Sequence, residues 1–98
     1  MARWDIIKQT IIDDLNSRSL KKPSIRINAI GRMDIIVRRL YPEYLDDMDA
    51  VKNIGKEAFK KQIENGKGRK LNSAEQSVIN DIFRIIDPQA HSNSSVTN

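Results

Sequence analysis

Two blocks of basic residues give this chain side chains that can bind phosphate groups. Residues 18–39 contain seven basic side chains and one acid, and residues 52–70 contain seven basic side chains and two acids. The whole chain has a net charge of only +4, so its other segments are acidic. Charge segregated in this way creates a local field that attracts phosphates or an acidic protein surface. The residues predicted to bind nucleic acid, either DNA or RNA, are Lys21, Lys22, Arg26, Arg32, Arg38, Arg39, Lys52, Lys56, Lys60, Lys67, Arg69 and Lys70.

The lysines of the second block follow a helical spacing. Lys52, Lys56 and Lys60 are four residues apart and would form a row along one face of a helix. Like charges at this spacing destabilise an isolated helix by roughly a few tenths of a kcal/mol per pair, so the row favours a function such as phosphate binding. The alternative is a solvated face on a helix that starts acidic and ends basic, a pattern that compensation of the helix dipole alone would produce.

Arginines and a short loop add to the predicted basic surface. Arg32 and Arg39 lie seven residues apart on one helix face, with Arg38 beside them. A guanidinium group can bind a phosphate or a guanine through two hydrogen bonds. Residues 66–70 form a loop of glycine and basic residues before a predicted helix N-terminus. The spacing of a nucleotide P-loop is absent there, so the loop predicts an anion contact and no dedicated nucleotide site.

The sequence offers no set of catalytic groups. The only histidine, His91, lies in a polar tail that cannot hold a base in place, and the chain has no cysteine. Ser73 lacks an activating partner and is better explained as a helix cap. The four acids in residues 43–49 would lie in the first turns of a helix, where they stabilise its dipole. We therefore expect no catalytic activity, metal site, cofactor or small-molecule substrate.

Apolar residues near the C-terminus suggest a second class of function, protein binding. Six of the nine residues from 78 to 86 are large and apolar, which is more than a surface helix needs. One explanation is a central helix surrounded by the others, and the other is an interface with a partner protein or with a second copy of the chain in a homodimer. The anchors of such an interface would be apolar residues that the core leaves exposed, and these are predicted to be Trp4, Ile6, Ile85 and Ile86.

Four amphipathic helices are expected to position these residues. Apolar residues spaced three or four apart predict helices over residues 3–17, 28–40, 42–65 and 72–87. Residues 24–28 could form a short extended piece or the first turn of the second helix. No strand is predicted, so the fold class is all-α, a compact bundle of about four amphipathic helices with a disordered C-terminal tail.

Local signals define the ends of these helices. Gly66 suits the left-handed position that follows the third helix. Asn72 and Glu75, or Ser73 and Gln76, have the spacing of a capping box at the start of the fourth helix.

Length and composition limit the organisation of the chain. Its 98 residues suit a single domain, predicted over residues 1–87, with a disordered polar tail over 88–98. The N-terminal residues do not resemble a signal peptide, and no apolar run is long enough to cross a membrane, so the expected location is the cytoplasm.

The composition and the charge pattern together favour nucleic-acid binding over protein binding. We expect a small non-enzymatic regulatory protein that binds nucleic acid, or acts in a nucleic-acid complex, through basic faces of helices two and three. The alternative is a protein-binding inhibitor or adaptor, such as a phage-type antirepressor, anti-defence or host-takeover protein, that uses exposed apolar helix faces.

Overall fold

Helices form nearly all of the computed structural model, which describes residues 3–18 and 23–88. Five α-helices follow in chain order, with a 3-10 helix, Pro42–Leu45, between the second and the third. Within the described ranges no residue belongs to a β-strand, which confirms the all-α prediction. The α-helices are α1 (Trp4–Ser17), α2 (Pro23–Leu40), α3 (Asp49–Ile54), α4 (Lys56–Lys67) and α5 (Ser73–Ile86).

Helix α5 lies at the centre of the bundle and packs against α1, α2, α3 and α4. Five of the six large apolar residues in the 78–86 segment are buried, and only Ile85 is exposed. The surplus of apolar residues on this helix is therefore buried inside the chain, which is the first of the two explanations, a central helix. Helix α2 packs against α1, α4 and α5 and forms the second element of the core.

The prediction of one long third helix is wrong. Residues 42–65 are divided among the 3-10 helix, α3 and the greater part of α4. Gly55 ends α3 and begins α4 with φ 90° and ψ 162°, a conformation that a residue with a Cβ rarely adopts. Val51 on α3 and Phe59 on α4 are both buried in the core on either side of this glycine. Lys52 therefore lies on a different helix from Lys56 and Lys60, and the predicted row of three lysines on one helix does not exist.

The ends of α2 and α4 also differ from the prediction. Helix α2 begins at Pro23 and not at Asn28, so residues 24–28 form its first turns. Proline suits this position because a first helical residue needs no N–H donor. Helix α4 continues through Gly66 to Lys67, and Gly68 takes the left-handed conformation, with φ 79° and ψ 18°. The predictions for Lys21, Lys22, His91 and the tail from residue 89 lie outside the described residues.

Gly66 has a packing role in place of the predicted cap. The side chains of Ile36 and Leu40 on α2 lie against it, and a Cβ added at Gly66 would be only 2.5 Å from Ile36 Cγ2. The missing side chain thus allows the C-terminal end of α4 to approach α2 closely. This contact places the start of the loop that follows α4 beside the C-terminal half of α2.

In the described part of the chain, no helix combines the length and the apolar character that crossing a membrane requires.

Candidate nucleic-acid interface

The loop between α4 and α5, residues 68–72, is fixed by hydrogen bonds to Glu64, and we name it the basic loop. The N–H groups of Gly68 and Arg69 donate to the carbonyl oxygen of Glu64 at 2.9 and 3.3 Å. The Glu64 side chain continues along the loop, and its Oε2 accepts a hydrogen bond from the N–H of Leu71 at 3.2 Å. Leu71 is itself buried in the core. The loop therefore has a defined backbone path.

A fully buried carboxylate, Glu75, fixes the other end of the basic loop. Its Oε1 accepts from the N–H of Asn72 at 2.9 Å, and Asn72 Oδ1 accepts from the N–H of Glu75 at 2.9 Å. These two bonds form the first of the two capping boxes predicted at the start of α5, so the cap is Asn72, and the interpretation of Ser73 as a cap is wrong. Glu75 also accepts from Lys67 Nζ, and its Oε2 accepts from Arg32 Nε at 3.2 Å. One carboxylate thus joins α2, the end of α4 and the start of α5.

The environment of Glu75 keeps it ionised. Burial alone would raise the pKa of this carboxyl group. The hydrogen bonds from Lys67, the Asn72 backbone and Arg32 outweigh that effect, and the pKa of Glu75 lies below its ordinary value. The Lys67 side chain is only 6% exposed, so the two opposite charges are buried together. This pairing uses two of the predicted nucleic-acid-binding residues, Lys67 and Arg32, to hold the structure together.

Arg38 belongs to a separate cluster between α1 and α2. Its Nε donates to both oxygens of Asp34, at 3.0 and 3.1 Å, and its guanidinium also pairs with Asp5. Trp4 Nε1 and Lys8 Nζ donate to Asp34 Oδ1 at 2.7 and 3.2 Å. Partial burial raises the pKa of Asp34, but the bonds from Trp4, Arg38 and Lys8 outweigh it and lower the pKa overall. Arg38 therefore fastens α2 to α1.

The lysines of the predicted row also have different surroundings. Lys56 Nζ donates to Asn80 Oδ1 on α5 at 3.2 Å, and Lys60 Nζ lies 3.5 Å from Glu57 on its own helix. Lys52 on α3 is exposed and makes no ion pair with any described residue. The three side chains therefore do not act as one line of free charge.

Three further predicted residues, on α2 and on the basic loop, are exposed. Arg69 and Lys70 belong to the basic loop, and Arg39 lies seven residues after Arg32, about two turns or ~10 Å along the same face of α2. No described side chain forms an ion pair with any of the three. We name Arg39, Arg69 and Lys70 together the basic surface, and it retains three uncompensated positive charges.

Arg26 has a different position, at the opening between the starts of α2 and α5. It is half-buried and lines a cleft of about 330 Å³ together with Ile25, Ser73, Ala74 and Ser77. Within the described ranges it has no carboxylate partner. It is therefore a cation beside the basic loop but set deeper than the basic surface.

Two of the four predicted apolar anchors are not exposed. Trp4 and Ile86 are buried in the core, because Trp4 packs there with its Nε1 bonded to Asp34 and Ile86 lies on the inner face of α5. Their prediction as surface anchors is wrong. Ile6 and Ile85 are 61% and 40% exposed, as predicted. Ile85 borders a groove of about 260 Å³ between α1 and α5.

Sequence reasoning found the capping residues but missed the wider role of Glu75 and Glu64. The spacing from Asn72 to Glu75 predicted the two hydrogen bonds of the capping box, in which each side chain accepts from the other residue's backbone N–H. The bond from Arg32 spans 43 residues, so no local pattern could reveal it. The described residues also contain no group of three or more acids, histidines or cysteines placed to hold a metal ion.

Comparison with known proteins gives no family assignment. No protein-family model matches this chain, and neither the search of curated proteins nor the search of solved structures found a match.

Proposed function

We propose that this protein is a non-catalytic regulator that binds the phosphate backbone of duplex nucleic acid through the basic surface. One observation carries the proposal: Arg39, Arg69 and Lys70 are exposed, lack ion-pair partners among the described residues, and belong to the two elements, α2 and the basic loop, that Glu75 joins. Uncompensated cations on a fixed backbone attract a polyanion and release its counterions. The paired cations Arg32 and Lys67 bind Glu75, which in turn holds one end of the basic loop.

The aromatic residues favour a duplex over a single strand. The chain has five aromatic residues, and all of them are described. Four are buried and Tyr41 is half-buried against Tyr44, so no ring is free to stack on an unpaired base. Single-strand binding usually depends on such exposed rings. Contacts that are limited to phosphates position a protein without reading bases, so we expect little sequence preference.

Fluorescence anisotropy with labelled duplex DNA, at several salt concentrations, tests the proposal. Three phosphate contacts would give a log–log salt slope of about −2.7, at about −0.9 per contact. The dissociation constant should fall in the range of non-specific binding, roughly 10⁻⁴ to 10⁻⁶ M at physiological salt. Absence of binding even at low salt would contradict the proposal.

A matched pair of double variants locates the contact. Arg69→Gln with Lys70→Gln removes two charges from the basic surface, and the slope should become shallower by about 1.8. Arg18→Gln with Arg84→Gln removes the same charge from arginines that line the groove between α1 and α5 and are 44% and 49% exposed. The second variant should bind almost as the unmodified protein does. Equal losses in both variants would mean that only the total charge matters.

Protein binding through apolar anchors has less support. Two of its four predicted residues, Trp4 and Ile86, are part of the core. The remaining two, Ile6 and Ile85, lie on different helices, and exposed apolar side chains are common on protein surfaces.

A further inference from the structure

We propose that Glu64 and Glu75 are positioning residues for nucleic-acid binding, whose carboxylates hold the basic loop so that Arg69 and Lys70 are presented in one preset arrangement. This inference rests on the function proposed above and extends it to two acids that do not touch the ligand. It assigns a role in binding to two negatively charged residues, which a polyanion repels.

The negative charges of Glu64 and Glu75 oppose the binding of a polyanion. Glu64 and Glu75 are the acids nearest to the basic loop, since each is bonded to its backbone. A negative charge near a phosphate-binding surface repels phosphate, and Coulomb's law alone predicts that removing either charge would tighten binding. Any loss of affinity on removing such a charge must therefore come from what the carboxylate does to the loop.

The contacts show what each carboxylate holds. Glu64 fixes Leu71 N–H through its side chain, in addition to the two bonds that its carbonyl oxygen accepts. Glu75 fixes Asn72 N–H and also retains the nearly buried ammonium group of Lys67, the last residue of α4. Loss of the Glu75 charge would leave Lys67 buried without a partner, and moving it to solvent would disturb the helix end from which the loop begins.

A loop that is free before binding must be ordered when the ligand binds. Ordering costs affinity for each side chain and backbone segment that becomes fixed, and a preset loop avoids that cost. For the two side chains of the basic loop we expect a three- to tenfold loss of affinity when the support is removed, roughly the size associated with fixing one or two flexible side chains.

Glu64 allows a direct test, because two variants change its charge equally. Glu64→Gln keeps an oxygen that can accept from Leu71 N–H, and Glu64→Ala removes it. We expect Glu64→Ala to bind duplex DNA three- to tenfold more weakly and Glu64→Gln to bind as well as the unmodified protein or more tightly. The half-buried position of Glu64 makes both variants compatible with folding, which circular dichroism checks.

Glu75→Gln, compared with Glu57→Gln, extends the test to the buried carboxylate. Glu57 is 79% exposed, and among the described residues its ion pair is with Lys60, so its variant removes one negative charge from α4 without touching the loop. Glu75→Gln should weaken binding, and Glu57→Gln should not. In a protein that already carries Arg69→Gln and Lys70→Gln, Glu64→Ala should not weaken binding further, because the side chains that it positions are gone.

The outcomes separate the two proposals. If the unmodified protein does not bind duplex DNA at low salt, the proposed function is wrong and this inference is overturned with it. If the unmodified protein binds and Arg69→Gln with Lys70→Gln weakens it, but Glu64→Ala binds as tightly as Glu64→Gln, only the positioning role is overturned. A loss in Glu64→Ala that persists without Arg69 and Lys70 would also overturn it.

Discussion

The contact between α4 and α2 at Gly66 gives a prediction whose size can be worked out from the structure. Gly66→Ala would place a Cβ 2.5 Å from Ile36 Cγ2 and 3.2 Å from Leu40 Cδ1. Leu40 is exposed and can move its side-chain end, but the γ-methyl of Ile36 is close to the backbone and its χ1 angle is restricted in a helix. The new methyl group therefore requires a shift of α4 away from α2.

Two opposing effects determine the change in stability. Alanine is favoured over glycine inside a helix by about 1 kcal/mol. Overpacking a well-packed contact costs about 1–3 kcal/mol. Gly31→Ala supplies the matched control, since Gly31 is an exposed helical residue on α2 and an added Cβ would meet nothing within 4 Å. Both variants gain the higher helix propensity of alanine, so the difference between their free energies of unfolding measures the cost of overpacking.

We expect Gly31→Ala to raise the free energy of unfolding by up to about 1 kcal/mol and Gly66→Ala to lower it by about 1 kcal/mol. Urea unfolding followed by tryptophan fluorescence measures both, because Trp4 is the only tryptophan and is fully buried. Ile36→Ala should remove most of the penalty of Gly66→Ala in the double variant. If Gly66→Ala stabilises the protein as much as Gly31→Ala does, the close approach of α4 to α2 is wrong.

Two further predictions concern the Asp34 cluster and the exposed apolar residues. The folded-state pKa of Asp34 lies below its ordinary value of 3.8, so its ion pairs contribute stability above about that pH and lose it as the pH falls through the folded value. Asp34→Asn should therefore lower the free energy of unfolding by about 1–3 kcal/mol at pH 7, and urea titrations should show this difference shrinking below about pH 4; a difference that is independent of pH would contradict the ion-pair assignment. Ile85→Asp should change the free energy of unfolding by less than about 1 kcal/mol, whereas Ile86→Asp, one residue further along α5, should prevent stable folding because Ile86 is buried. Thermal melts by circular dichroism compare the two, and equal losses would place Ile85 in the core.

Periodic apolar spacing was enough to predict the core of the bundle. Ile7, Ile11 and Leu15 on α1 are buried at the predicted spacing, and so are Val78 and Ile82 on α5. The same rule failed in the middle of the chain because the spacing from Val51 to Phe59 continues across Gly55. A glycine in a helical pattern is compatible with either a helix or a break, and only the packing of both flanking helices on the core selects the break.

Whether each basic side chain is paired with an acid or free could not be predicted from the sequence. Lys67 meets a carboxylate eight residues away, but Arg32 meets one 43 residues away and Arg38 one 33 residues away. Local spacing rules account for helical neighbours three or four residues apart, so they cover only part of these pairs. The predicted list of binding residues therefore combined cations that hold the fold with cations that remain free.

The hydrogen bonds of Glu64 and Glu75 explain why no nearby carboxylate pairs with the basic surface. Glu64 and Glu75 are the carboxylates closest in sequence to Arg69 and Lys70, yet both are turned inward to the loop backbone and, for Glu75, to Lys67. Bonds to backbone N–H groups and, for Glu75, to the buried Lys67 occupy these acids, so Arg69 and Lys70 form no ion pair with them. The same bonds that remove the acids from the surface fix the loop that carries the bases. Replacement of Glu64 by alanine, which removes the bond to Leu71 N–H, should therefore weaken the binding of a polyanion. The sign of that change, opposite to the one that charge alone predicts, decides between a positioned loop and a merely basic one.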